Sequence, residues 1–294
     1  MRALTVLLLL PGLRADELTQ KMTARLSEEA EAFERLAPQV LGQETLHQRA
    51  LKPPSHFRPR VGAAAKTAPA AVWQERNILS EYGFAAFGTA PSLHELRKVI
   101  SVDGRKIEDA GKAQDALVKT ITANDDVRKK QLLKQFEKYG LVGAVTDFGQ
   151  LLLLFTRREL EQYEFTANGQ RTFGDAVALV FRYKQLDGPE ALTLIEANKK
   201  DEAHRLHVEG EIWVRRNDLV PLRITLAASN LEGTTAIREE ANVNYTLSPY
   251  GALLPALTEH RELRAGNVTA ENKFTYANFH KFGASSDIKF EVEK

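Results

Sequence analysis

Cysteine is missing from this chain of 294 residues. Its absence excludes thiol catalysis, cysteine-ligated zinc, disulfide bracing and a lipid-modified N-terminal cysteine. A chain of this size can build its core without disulfides. Charge of one sign is missing too, since 40 basic side chains face 39 acidic ones for a formal net charge of +1. A dedicated nucleic-acid binder carries a strong basic bias, so no nucleic-acid partner is expected. The basic run Arg128 to Lys130 reads as a solvated helix face. The N-terminal apolar run, Ala3 to Leu10, falls far short of the roughly 20 residues that span a bilayer, and no integral membrane span is expected.

Signatures of catalysis are also lacking. There is no Gly-x-Ser-x-Gly elbow, no phosphate-binding glycine loop and no His-Glu-x-x-His. The close histidine pair His204-x-x-His207 would point to opposite faces of an extended chain, and zinc needs converging ligands. Carboxylate pairs occur at Glu28-Glu29, Asp125-Asp126 and Glu239-Glu240, in helix-start or exposed-strand contexts. A glycosidase needs its two carboxyls to flank a sugar bond. Asp125-Asp126 instead reads as a helix cap, and Ser285-Ser286-Asp287 has no histidine partner in sequence. No enzymatic activity, metal or cofactor is expected.

What is present is a globular composition, 43% hydrophobic and 27% charged. Residues 1–15 read as a signal peptide: Arg2 is the basic start, Ala3 to Leu10 the apolar core, and Pro11-Gly12 the break before Ala15. The expected location is therefore the periplasm or the exterior, as a soluble protein. Residues 16–51 are expected to be an N-terminal helical segment. Within it Leu18, Met22, Leu26, Ala30, Phe33 and Leu36 recur at spacings of three and four. Its polar face lacks the Lys/Arg enrichment that anionic membranes select, which favours packing on its own domain. Residues 52–71 are rich in Pro and Ala and read as a linker.

Residues 72–294 are expected to form the main domain. Strand-like runs cover Val72 to Phe87 and Leu93 to Val102, and Asp103-Gly104 is a hairpin signal. The period then changes to a helical insert over 109–156, which ends in the wholly apolar Asp147 to Phe155. Strands resume at Leu160 to Thr166, Val177 to Gln185 and Ala191 to Glu196. Turn chemistry is placed at Asn168-Gly169, Asn217-Asp218 and Gly266-Asn267. Alternation from Glu209 to Phe282 gives four or more long strands, and Ile288, Phe290 and Val292 suggest a last edge strand. The fold class is α+β, with roughly ten antiparallel strands whose oily face needs a cover.

The phrases Gly210-x-Ile212-Trp213-Val214, Pro221-Leu222-Arg223, Gly251-x-x-Leu254-Pro255 and Tyr276-x-x-Phe279 resemble the C-terminal half of the LolA/LolB-like superfamily of envelope proteins. The resemblance implies a curved, unclosed antiparallel half-barrel with helices covering its concave face. In carriers of that group the cavity holds acyl chains of lipoproteins or lipids, and other members act as envelope sensors. Candidate ligand-binding residues on the apolar sheet face are Leu179, Phe181, Ile212, Val214, Leu222, Ile224, Leu226, Tyr245, Phe274 and Tyr276. Leu151, Leu152 and Phe155 are the candidates on the helix that would plug it. Two readings stay open: a carrier for a lipid, an acyl chain or an acylated protein, and a structural or sensory module that fills its own cavity and holds an envelope protein partner.

Overall fold

The computed structural model describes residues 11–52, 71–87, 93–123, 125–141, 147–186, 192–194, 204–206, 208–232 and 234–282. Eleven strands form one antiparallel sheet. In chain order they are β1 (Val40–Lys52), β2 (Val72–Ala86), β3 (Leu93–Val102), β4 (Arg105–Lys106), β5 (Tyr163–Phe173) and β6 (Ala176–Gln185), then β9 (Val208–Arg215), β10 (Pro221–Glu232), β11 (Thr235–Leu247), β12 (Leu253–Arg264) and β13 (Asn267–Lys281). The short β7 (Leu192–Leu194) and β8 (His204–Leu206) pair separately. Spatial order is β4-β3-β2-β1-β13-β12-β11-β10-β9-β6-β5, so the sheet has two edges and does not close. It is the unclosed half-barrel that the sequence suggested.

Turn chemistry explains the reversals. Asp103 and Gly104 both take positive φ, 48° and 76°, and so do Ala265 and Gly266, 49° and 78°. Paired positive φ values suit two-residue hairpins that follow the strand twist. The expected Gly266-Asn267 turn thus lies one residue earlier. Asn168-Gly169 is not a turn at all. Ala167 pairs with Phe181 and Gln170 with Leu179, leaving one extra residue on β5. Gly169, at φ 79°, absorbs that bulge, and the chain reverses only at Gly174. The start of β5 also shifts to Tyr163, because Leu160–Gln162 is a 3-10 turn.

The expected helical segment 16–51 divides in two. Helix α1 spans Pro11–Leu36, so residues 11–15 of the expected leader belong to it. After a 3-10 turn the chain enters β1, which pairs with β2 on one side and β13 on the other. Strand β1 escaped notice because its buried row, Glu44, Leu46, Gln48 and Ala50, is half polar. Alternation of solvent exposure was present there without alternation of hydropathy. Residues 1–10, most of the Pro/Ala linker, His207 and Ile288 to Val292 lie outside the described residues.

The helical insert serves both faces of the sheet. Helix α2 (Ala110–Thr122) begins on an Asp109 cap that accepts from Gly111 N at 3.1 Å. Its Leu117 packs with Leu41, Ala85 and Leu96 on one face, here called outer. Helix α3 (Asp126–Tyr139) is capped by Asp125, which accepts from Arg128 N at 3.1 Å. It straddles the edge, giving Leu132 to that outer cluster and Phe136 to Leu46, Ile78, Val99 and Phe274 on the inner face. The insert ends in a 3-10 run, Phe148–Phe155, called the plug below.

Close approach of strands β9 and β10 depends on Gly210. A methyl group there would lie 2.0 Å from the Thr225 carbonyl oxygen and 2.9 Å from the Tyr183 ring. The ring occupies the space above the glycine, and its hydroxyl donates to Thr225 O at 2.7 Å. Gly210→Ala is expected to lower unfolding stability by about 1–3 kcal/mol through overpacking, measured as a lower denaturant midpoint at unchanged slope.

Candidate functional site

The inner face of the sheet is two-toned, and its apolar half is the larger. Strands β6, β9, β10 and β11 supply Phe181, Tyr183, Ile212, Val214, Ile224, Leu226, Val243 and Tyr245 to one continuous buried cluster. Two covers complete it. Met22, Leu26, Ala30 and Phe33, four apart and then three apart along α1, are all 0% exposed. The plug adds Phe148, Leu151, Leu152 and Phe155. Ring contacts knit the plug to the sheet, with Phe155 lying 4.9 Å from Tyr183 and 5.3 Å from Tyr163 between centroids.

The two covers are held differently. Tyr245 Oη donates to Gly149 O and accepts from Leu152 N, each at 3.2 Å, so it serves the plug's backbone directly. Burial pushes the Tyr245 phenol well above its ordinary range, keeping it neutral and able to do both. Gln150 Nε2 donates to Leu93 O at 2.7 Å. Helix α1, by contrast, meets the sheet and plug through side-chain packing. Its polar ties run to the segment after the plug, as exposed ion pairs Arg157–Glu31 (3.6 Å) and Arg158–Glu34 (3.3 Å). Exposed pairs of this kind contribute little.

A polar seam runs beside the apolar half, on β1, β2, β3, β12 and β13. At its centre Arg97 donates through Nε to both oxygens of Glu44, at 2.8 and 3.0 Å, and through Nη2 to Glu95 Oε2. All three side chains are at most 1% exposed. Phe136, Phe274 and Tyr82 surround the guanidinium at 5.2–5.5 Å. Burial pushes Glu95 up to about 8 from an ordinary 4.5; Arg97 opposes the shift, while Asp147 and Glu44 add to it. Glu44 is raised as well, burial outweighing its contacts with Arg97. Further along, buried His260 contacts Glu239 at 2.5 Å and Asn272 at 2.9 Å, and stacks 4.8 Å from Phe148.

The sequence-derived candidates fall as follows. Phe181, Ile212, Val214, Ile224, Leu226, Tyr245, Leu151, Leu152 and Phe155 share the single cluster, with Leu179 and Tyr276 half-buried against it. Phe274 belongs instead to the neighbouring cluster under Phe136. Leu222 is half-buried at a bulge, where Pro221 pairs with Val214 but Arg223 with Trp213, and it stays outside the cluster. Sequence reasoning missed the seam. Glu95 and Arg97 share strand parity with buried Leu93 and Val99, a signal that was readable. Among the described residues, no group of three metal-ligating side chains converges. Glu239 and Glu240 diverge, Glu239 to His260 and Glu240 to Arg238. Two open grooves, of about 780 and 650 Å³, are lined by neither α1 nor the plug.

Unequal anchoring of α1 has a measurable consequence. Phe33→Ala is expected to cost about 3–5 kcal/mol and to expose α1 to limited proteolysis. The Arg157→Ala and Arg158→Ala pair should cost at most about 1 kcal/mol, leaving α1 protected.

No protein-family model matches the chain, and no curated protein matches it. Among solved structures it is similar to a "putative outer membrane lipoprotein-sorting protein domain" from Vibrio parahaemolyticus, at 10% identity over 94% of this chain and 95% of that one, TM-score 0.34. A DUF1329 family protein from Desulfovibrio piger is similar at 10% identity over 92% and 97%, TM-score 0.34. A LolA superfamily protein from Nitrosomonas europaea is similar at 10% identity over 89% and 94%, TM-score 0.28. Each is a likeness in the path of the chain.

Proposed function

We propose that the protein is a non-enzymatic, periplasmic binding protein for an acyl chain, as a lipid or an acylated protein, taken up on the inner sheet face in exchange for α1 and the plug. The observation that carries this reading is the nature of the cover. Helix α1 lies on the apolar half through Met22, Leu26, Ala30 and Phe33, and exposed ion pairs tie Glu31 and Glu34 to the segment after the plug. A hydrocarbon tail makes the same kind of contact, without direction and in proportion to area.

Magnitudes make such an exchange feasible. Each fully buried Met, Leu or Phe of the cover contributes about 1.5–3 kcal/mol, and each methylene of a ligand about 0.8 kcal/mol. A chain of some 12–16 carbons, worth about 10–13 kcal/mol, therefore reaches the lower end of what the seven buried Met, Leu and Phe side chains named above for α1 and the plug give up together, about 10 kcal/mol. Cover and ligand are close competitors, and a small bias decides between them. Chemistry at the site fits binding rather than turnover. Among the described residues, the ring nitrogens of His47, His94, His260 and His280 hydrogen-bond to carboxylates, side-chain amides or a backbone carbonyl.

A second reading has one observation in its favour: the inner face is filled by the protein's own side chains, Leu152 and Phe155 included. A permanently filled sheet would be a structural or sensory module that holds an envelope protein. Protein purified without detergent separates the two. Mass spectrometry of an organic extract is expected to find acyl lipid, and a fluorescent fatty acid should bind. Leu26→Asp, which charges the face of the cover, should tighten that binding about tenfold or more. An empty extract together with no fatty-acid binding by either protein leaves only the module.

A further inference from the structure

The corner where the plug begins contains a feature that the binding reading does not use. Glu44, Glu95 and Arg97 bring two carboxyls and one guanidinium into a site with at most 1% side-chain exposure. If all were ionised, the trio would carry a net negative charge with no solvent to receive it, which is strongly unfavourable. A single proton makes it neutral. Glu44 takes two hydrogen bonds from Arg97 Nε, while Glu95 has Oε2 on Nη2 and an Oε1 with no partner. The proton therefore belongs on Glu95.

Glu95 also touches the plug. A methyl group at Gly149 would lie 2.6 Å from Glu95 Oε1 and 2.9 Å from Tyr82 Oη, so carboxyl and phenol both face that glycine. One residue before the plug, Asp147 Oδ1 accepts from the Glu95 backbone N at 3.0 Å, and Asp147 Oδ2 contacts His94 Nδ1 at 2.9 Å. The start of the plug is thus pinned beside the carboxyl group that must stay neutral. We propose that Glu95 is a proton-operated latch: protonated, it lets the plug seat over the trio, and on losing its proton it drives the plug away from β3.

The direction with pH follows from linkage. Glu95 titrates near 8 when closed and near the ordinary 4.5 once opening lets in water. Closure is fully supported below about 4.5, and that support is lost as pH rises to about 8. The other groups facing Glu95 are Arg97 on its own strand, Glu44 on β1, Tyr82 on β2, Tyr276 on β13, Tyr245 on β11 and Asp147 at the plug. Burial holds the three tyrosines well above their ordinary range, so they remain neutral across this window.

This latch regulates the site assigned above, but its test does not require a ligand. Amide exchange of Phe148–Phe155 is followed from pH 5 to 8.5 in the full chain, corrected for intrinsic rates. Plug protection is expected to fall several-fold per pH unit, at most about tenfold, while amides of β11 and β12 hold steady. Glu95→Gln, neutral at every pH, should flatten the slope. Glu44→Gln, which leaves one carboxylate for Arg97, should move it to lower pH, and His94→Asn should keep it. A flat wild-type profile, an unchanged slope in Glu95→Gln, or parallel loss in β11 and β12 would overturn the latch. Plug opening without fatty-acid binding would keep the latch and remove the carrier.

Discussion

One oily face of a long sheet has to be covered, and everything else in this protein is arranged around how that is done. Antiparallel strands can leave one side to water only if the other is buried. Here eleven strands present an inner face too wide for any one helix. The cover of its apolar half comes in two pieces from separate parts of the chain, α1 before the first strand and the plug between β4 and β5. Directional bonds to Tyr245 and Leu93 hold the plug, while side-chain area holds α1. The cover that depends mainly on area is the one that the proposed acyl ligand would replace.

The polar seam stands against this background as a deliberate expense. A buried ion pair seldom adds stability over well-packed apolar residues of the same volume. Arg97, Glu44 and Glu95 occupy positions on the inner face where Leu or Phe would fill space more cheaply in solvation terms. Their placement under the start of the plug gives them a role that apolar residues lack, because protonation can change the local charge without changing shape. His260, Asn272 and Glu239 continue the seam beneath Phe148, so the plug's first residue is seated on polar ground. Gly149 continues over the Glu95 carboxyl, and from Leu151 onward the plug packs into the apolar cluster.

Much of the architecture could be read from the sequence wherever side-chain polarity followed exposure. In β9 and β10, Ile212, Val214, Ile224 and Leu226 alternate as the pleat requires, and the Asp103-Gly104 hairpin was legible from its turn chemistry. The apolar plug stood out because Leu151 to Leu154 have no polar side, although it adopts 3-10 rather than α geometry. Legibility failed where an inner row carried charge. Glu44 and Gln48 disguised β1 as part of a helical segment, and the charges of Glu95 and Arg97 interrupt the apolar row that Leu93 and Val99 mark on β3. Asn168-Gly169 misled for another reason, since the positive φ that suits a hairpin also suits a bulge.

The absence of cysteine makes the central claim, exchange of the cover for an acyl ligand, directly measurable. Spin labels at Glu28→Cys on the exposed side of α1 and Arg261→Cys on the exposed side of β12 would be the only two in the molecule. Pulsed electron resonance then reads the distance between cover and sheet with and without palmitate. The account predicts one distance in the ligand-free protein and a second, longer and broader population that grows to saturation with palmitate. A single unchanged distance at saturating palmitate would contradict it.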